Sequence, residues 1–422
     1  MRVNYSPSGD RIVTSGWGLT SELWDAASGE ELFTLPGYEG MIGLRQQIVG
    51  NFSPDGALIA GAHQAGGPGW IWDGYTGEQI VSYAGHTGFY LPEWSPAGDR
   101  LLTVGEEDSS AKIWDVATGE LLQTMPGVAG FIGRWSPDGG RILTNGQPGE
   151  VIIWEAESGA KLLTIRASTA FINDFRSEVT SGISEAIQSM DWSPDGAYLL
   201  TSGNDGTARV RDIITGEEIL RLSVDETIDS EASVGSSIIA AWSPDGRRIL
   251  TAANTDGAAT VWDANSGKEL LVFQEHIPYS VDWSPDGARL VTFSLDGLGR
   301  IWNAATGEEL LAFAAPTSNV GPYIEWSPDG SRIVTGGEVG ELKVWDAGNG
   351  RELTSVGYRG FSLSPSWSPD GDFIAVSDDF YGNVYIIPAW QSTQELVDYA
   401  KACCLIRELT AEERELFGLP PE

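Results

Sequence analysis

The sequence predicts an all-β fold, a β-propeller of about nine four-stranded blades in residues 1–388, followed by a short helical tail in 389–422. Three observations carry that expectation: a five-residue motif that returns along the whole chain, a Trp-Asp pair at a nearly fixed distance behind it, and glycine-marked turns between them. The motif reads Trp94-Ser-Pro-Ala-Gly98, Trp135-Ser-Pro-Asp-Gly139, and then opens again at Trp192, Trp242, Trp283, Trp326 and Trp367. Weaker copies start at Tyr5 and Phe52. A period of roughly 40 to 45 residues marks units that cannot bury their apolar faces alone and must stack.

Each unit can be read in order. Ser-Pro-Asp-Gly is turn chemistry: proline presets φ, aspartate suits the next position, and glycine takes the left-handed conformation that follows. One strand therefore ends at the aromatic and a second begins just past the glycine, as in Arg289-Leu-Val-Thr292 or Arg248-Ile-Leu-Thr251. Consecutive aliphatics there suit a strand covered on both faces. A turn such as Asp205-Gly206 or Asp256-Gly257 leads to a third strand ending in Trp-Asp, as at Trp114-Asp115 and Trp262-Asp263. Asp-x-x-Ser/Thr-Gly then turns the chain into a fourth strand. The distance from first aromatic to Trp-Asp hardly varies: 20 from Trp94 to Trp114, 19 from Trp135 to Trp154, 20 from Trp242 to Trp262, 19 from Trp326 to Trp345.

On these residues the chain resembles the WD40-repeat family over about residues 1–388. That resemblance implies a propeller whose blades are often tied by a tetrad of His, Ser/Thr, Asp and Trp. Two units have the residues for one: His86, Thr103, Asp108 and Trp114, and His276, Ser294, Asp296 and Trp302. Elsewhere the histidine is missing, so tryptophan packing is expected to hold those blades. Fourteen of the 17 tryptophans occupy the two repeat positions.

The first unit begins inside a first strand, at Val3-Asn4-Tyr5, and the ninth has sequence for only three strands, through Val384-Tyr-Ile-Ile-Pro388. With no strand ahead of Met1 to complete it, either the ring closes imperfectly or the chain is the C-terminal portion of a longer protein; the second is the expectation. A seven-bladed ring made from units three to nine alone is the competing arrangement.

Length variation is confined to one place. The usual separation from Trp-Asp to the next aromatic is 21 to 24, but it is 28 from Trp24 to Phe52, 38 from Trp154 to Trp192 and 31 from Arg211 to Trp242. The inserts, 37–49, 168–187 and 223–236, fall in or after the fourth strand, on links that share one face of a propeller. Just ahead of the turn motif, near that face, stand Phe89, Tyr90, Phe131, Tyr279, Tyr323 and Phe361. Such a ring of aromatics suits capture of a protein or peptide, or it plugs the channel and packs between blades.

Formal charge is −35, which repels phosphate backbones and anionic lipid and suits a cationic partner; neither nucleic-acid nor membrane binding is expected. The two cysteines, Cys403 and Cys404, are adjacent, which excludes a disulfide-built scaffold. With no signal-peptide pattern and no apolar run long enough to span a bilayer, a cytoplasmic location is expected. After Pro388, Ser392-Thr-Gln-Glu395 and Thr410-Ala-Glu-Glu413 fit capping boxes, and Leu396, Val397, Ala400, Cys403, Cys404 and Leu405 recur at helical spacing across 395–409. This tail is similar to the ends of large bacterial proteins in which a WD40 array follows a signal-transducing NTPase domain. That likeness implies a ligand-sensing propeller with an upstream NTPase domain.

Catalytic signatures are sparse. No Gly-x-x-x-x-Gly-Lys-Ser/Thr run exists to cradle phosphates, and three scattered histidines do not make a metal set, so no cofactor and no metal is expected. A Ser-His-Asp hydrolase using the central depression stays open as a remote alternative, because triads assemble in space. The sequence thus points to a non-catalytic binding propeller, with a free-standing assembly scaffold as the other reading.

Overall fold

The computed structural model describes residues 2–15, 20–36, 48–63, 66–87, 90–105, 107–129, 132–147, 149–166, 187–203, 206–223, 238–253, 259–273, 278–294, 297–314, 323–336, 341–357, 365–377 and 384–389. Within them lie nine antiparallel sheets, eight of four strands and one of three. Blade one is Arg2–Tyr5, Arg11–Ser15, Thr20–Asp25 and Glu31–Pro36. The strands pair in chain order, here named a to d, and each later blade repeats that order. Blade nine holds Ser366–Trp367, Phe373–Ser377 and Val384–Pro388. The expected helical tail lies outside the described residues.

Neighbouring a strands lie against one another, as Arg2–Tyr5 does against Ile48–Phe52 and Pro278–Trp283 against Tyr323–Trp326, so they converge on the axis. The b strands are buried almost throughout, while d strands alternate out to solvent and form the rim. Blade nine closes on blade one: its a and b strands meet Arg2–Tyr5, and Val3, Ile12 and Ala26 pack with Ala375. The ring therefore contains all nine blades, and the seven-bladed arrangement is not the one formed.

The hydrophobic core is distributed. Nine buried clusters each straddle one junction between adjacent blades. Between blades three and four, Leu102, Ile113 and Met125 receive Trp135 and Trp154; between seven and eight, Val291, Ile301 and Phe313 receive Trp326 and Trp345. Each buried indole removes about 150–250 Å² from water, roughly 4–6 kcal/mol of transfer free energy before entropy is counted. A blade on its own would forfeit that on both faces.

The turn motif does more than bend the chain. In Ser136-Pro-Asp-Gly139 the glycine N–H donates to the Ser136 carbonyl at 2.8 Å. The buried Ser136 hydroxyl donates to Asp138 at 2.5 Å and accepts the N–H of Arg141 at 2.9 Å. The same hydroxyl-to-carboxylate bond recurs at Ser53, Ser193, Ser243, Ser284, Ser327 and Ser368, while Ser6 and Ser95 use Asp10 and Asp99. The second turn is an Asx turn: Asp263 accepts the N–H of Ser266 at 2.8 Å, and Gly267 takes φ 67°. That glycine also lies under its neighbour, because a Cβ on it would stand 2.9 Å from Leu220 of the preceding blade's d strand.

An arginine six residues after the aromatic crosses the junction. Arg248 donates to the carbonyls of Gly287 (2.7 Å) and Ala304 (2.8 Å) in the next blade, and its guanidinium lies 4.9 Å from the Trp283 ring centroid. Arg11, Arg100, Arg289 and Arg332 each repeat this contact to backbone and ring of the following blade. The planar fork reaches two carbonyls at once, which a lysine cannot do. Replacing Arg248 with Ala is expected to cost about 2 kcal/mol in urea unfolding, and Arg248→Lys to recover less than half of it.

Candidate interaction surface and the polar tetrads

Every blade runs a to d in the same sense, so the d-to-a links all leave from one face. The described ends of those links are Thr87 and Tyr90, Pro126 and Gly133, Phe273 and Pro278, Ala314 and Tyr323, and Gly357 and Ser366. Three are longer: Pro36 to Ile48, Arg166 to Ile187 and Ser223 to Ile238. The backbones of Tyr90, Tyr279 and Tyr323 sit at the starts of a strands, at this rim. Their side chains, together with Phe89, Phe131 and Phe361 in the links, lie outside the described residues.

The first tetrad is assembled. Trp114 Nε1 donates to Thr103 Oγ1 at 2.8 Å, Thr103 Oγ1 stands 2.8 Å from His86 Nε2, and His86 Nδ1 is 2.9 Å from Asp108. The threonine gives its proton to the imidazole, which gives its own to the carboxylate, so one relay of donors runs from indole to Asp108. Lys112 Nζ braces the far end, at 3.1 Å from Asp108 and 2.9 Å from the Gly85 carbonyl. Burial pushes His86 below its ordinary value, against the bond to Asp108, so the imidazole is neutral at pH 7. Burial alone would raise Asp108, but the bonds from His86 and Lys112 outweigh it and hold the carboxyl low.

In the second unit the indole partner differs from the one expected. Trp302 Nε1 donates to Thr292 Oγ1 at 2.9 Å, not to Ser294, which pairs across the sheet with Pro278. Thr292 and Thr103 each follow their motif aromatic by nine residues, so the register selects the threonine. His276 and Asp296 lie outside the described residues. The same indole-to-threonine bond recurs at Trp24–Thr14, Trp154–Thr144, Trp262–Thr251 and Trp345–Thr335. In blade five Arg211 stands in the tryptophan's place, 3.4 Å from Thr201 and 2.9 Å from Glu218. In blade two glycine replaces the threonine; Tyr83 donates to the Gly61 carbonyl at 3.0 Å, and the buried Trp72 N–H has no described partner. These threonines and arginines were detectable in the sequence as residues at a fixed offset.

Nearer the axis, the residue before each motif aromatic is often acidic. Glu93 spans to blade four, meeting Arg134 at 2.8 Å and accepting the Trp135 N–H at 3.2 Å. Asp282 caps the Trp283 N–H at 2.8 Å; burial, and then the Glu325 charge, pushes it up to about 6. Among the described residues no group of three or more His, Cys, Asp or Glu is placed to hold a metal ion.

With the geometry in hand, comparison with known proteins identifies the class. The family model for the WD domain, G-beta repeat, matches residues 77–115, 177–212, 232–263 and 267–303. The matched units are WD40 repeats, set in a β-propeller. It is 26% identical over 274 residues to Protein tipD of Dictyostelium discoideum, covering 64% of this chain but only 40% of that protein's length. It is 24% identical over 335 residues to human Angio-associated migratory cell protein, covering 67% of this chain and 72% of that one. Among solved structures, a eukaryotic initiation factor aligns with TM-score 0.64 and 16% identity over 90% of this chain and 93% of its own. The C-terminal WD40 domain of Sif2 aligns with TM-score 0.56 and 15% identity over 92% and 94%.

Two outcomes check this reading. Thr103→Val strands the Trp114 N–H and His86 Nε2, and is expected to cost about 2–3 kcal/mol in urea unfolding at pH 7. Because His86 is held low when folded, the unfolded chain protonates first, so the wild type loses part of this margin as pH falls below about 6.5. Asp282 behaves oppositely: the folded chain takes up its proton first, so stability is gained as pH falls through about 6. Asp282→Asn should therefore stabilise the protein by about 1 kcal/mol at pH 7, with the advantage vanishing toward pH 4.

Proposed function

We propose that this propeller is a non-catalytic binding platform for a protein or peptide, serving as the ligand-sensing part of a larger signalling protein. The observation that carries the platform reading is the one-faced arrangement of the d-to-a links, with the three longest links and the Tyr90, Tyr279 and Tyr323 backbones on that rim of a rigid ring. Loops on a fixed scaffold are where recognition concentrates, and aromatic anchors contribute most per residue. The recurring polar side chains already serve the fold: serines hold the motif turns, threonines take indole protons, and His86 completes a tetrad.

The signalling part of the proposal is supported by the tail, whose Leu396-Val-Asp-Tyr-Ala400 and Leu409-Thr-Ala-Glu-Glu-Arg414 resemble the ends of bacterial NTPase–WD40 proteins. A formal charge of −35 favours a cationic ligand, and the site of action is the cytoplasm. The free-standing scaffold is the competing role for the same surface.

The platform is tested by affinity capture with the wild type and the Tyr90→Ala/Tyr279→Ala/Tyr323→Ala variant. A partner lost by the triple variant, with thermal unfolding unchanged, supports it; identical capture by both counts against the aromatic rim. Reading the genomic frame upstream of Met1 separates sensor from scaffold, since an in-frame P-loop domain is expected only of the sensor.

A further inference from the structure

In each of the eight described d strands, one residue pairs directly with the tryptophan (in blade five the arginine) near the end of the c strand. Seven of these residues are polar: glutamate in blades one, five, six, seven and eight, Gln79 in blade two and Lys161 in blade four. In blade three the residue is Leu121, opposite Trp114. Leu121 is 49% exposed and Leu122, next in the strand, 43%. Successive residues of a strand point to opposite faces. At this end, then, the outer edge of blade three is apolar and open to solvent on both sides.

The whole strand, Leu121–Pro126, carries no charge. A sheet edge presents main-chain donors and acceptors, and proteins commonly guard it with a charged side chain. Six of the eight described d strands have that guard. Blade two's, Gln79–Thr87, has only His86, which is committed to the tetrad. Leu121–Pro126 pairs with Ser110–Asp115 along one side and is the outermost strand of its sheet on the other. The edge is also held in place. Gln123 Nε2 donates to the Glu157 carbonyl of blade four at 2.8 Å, Met125 is fully buried, and the Gly127 N–H returns to the Ser109 carbonyl at 2.9 Å. Its six residues give a straight run of about 20 Å.

We propose that Leu121–Pro126 is a strand-addition site for a separate polypeptide, an extended uncharged segment that pairs antiparallel to it and is followed by a basic residue. Main-chain bonds supply the affinity, and Leu121 and Leu122 supply apolar area to cover. Antiparallel order continues that of the sheet, in which every pair of neighbours already alternates. That order sets the C-terminal end of the guest beside Glu120, which precedes the strand. Glu157 stands next to Gln123 and meets Arg100 only at 3.9 Å. Lysine or arginine therefore belongs at that end of the guest. A second copy of the chain suits the edge poorly: antiparallel self-pairing would set Glu120 beside Gly127, and it would bring together two chains of charge −35. The edge lies on the outer rim of the ring, so it is a surface separate from the d-to-a face.

The test uses the full 422-residue chain and a labelled synthetic peptide of alternating valine and threonine that ends in two lysines. Fluorescence anisotropy should show saturable binding that weakens with salt, and hydrogen exchange should slow at Leu121–Met125 but not at Glu309–Phe313 when the peptide is bound. A proline at the peptide's centre should abolish binding, and moving the lysines to its N-terminal end should weaken it. Leu121→Glu gives blade three the residue that five other d strands carry at this register, so it should weaken binding about tenfold with the melting temperature unchanged. Leu121→Gln, which copies blade two, should fall between wild type and Leu121→Glu, and it carries the comparison if the glutamate lowers the melting temperature. Equal binding by wild type and these variants, or no slowing at Leu121–Met125, would overturn the proposal. So would binding as tight with the lysines at the N-terminal end. Exchange at Leu121–Met125 already as slow without peptide as at Leu101–Val104 would mean that the chain covers its own edge, and a dimer that Leu121→Glu dissociates would assign the edge to a second copy; either result overturns it. The Tyr90/Tyr279/Tyr323 triple variant should bind the peptide normally, so this inference and the platform reading can fail separately.

Discussion

The junction between blades is the constraint on which the structure depends. A four-stranded sheet has two faces and can cover neither by itself, so each blade is stable only as the neighbour of two others. The chain meets this with a repeated set of contacts. Two indoles of one blade press into aliphatics of the blade before it, and an arginine of the earlier blade reaches forward to carbonyls and ring of the later one. The indoles contribute area, which is directionless. The guanidinium contributes angle, because two carbonyls at set positions accept its fork in only one orientation. Area draws the sheets together, and the arginine sets how they meet.

Inside a blade, short polar side chains do the corresponding work. The motif serine closes its turn by accepting a backbone N–H while donating to a carboxylate, and it is buried at every copy. The threonine on the b strand accepts the indole proton that burial would otherwise strand. The His86 tetrad extends that bond by two residues, which makes it an elaboration of a simpler and commoner link. Blades one, four, six and eight make the indole bond without a histidine.

The architecture was legible in the sequence because its cause is local and repeated. Turn residues with fixed conformational needs and paired aliphatics recur from blade to blade, a Trp-Asp stands at constant spacing in five of them, and drift in one copy is corrected by the rest. The indole's partner in blade seven was hidden for an instructive reason: serine and threonine look interchangeable in a composition argument, but the fold places Thr292, two residues before Ser294, beside Trp302. The arginine contact went unread because its partners are backbone carbonyls some 40 to 60 positions away, such as Gly287 and Ala304 for Arg248, and carbonyls leave no signature in a sequence. The acidic residues near the axis were hidden for a similar reason: Asp282 acquires its shifted ionisation only from burial and from Glu325 on the next blade.

One consequence follows from the way blade nine meets blade one. The arginine position there is Phe373, so the guanidinium that other blades send forward from this position is replaced by an apolar ring. What remains is the apolar contact of Val3, Ile12 and Ala26 with Ala375. Among the described residues, five other links of this bracelet are riveted by an arginine, and this one is a press-stud. A circle whose fastenings differ in grip is hinged by construction: where one junction parts first, an arc of intact sheets can swing and shut again without any of them unravelling.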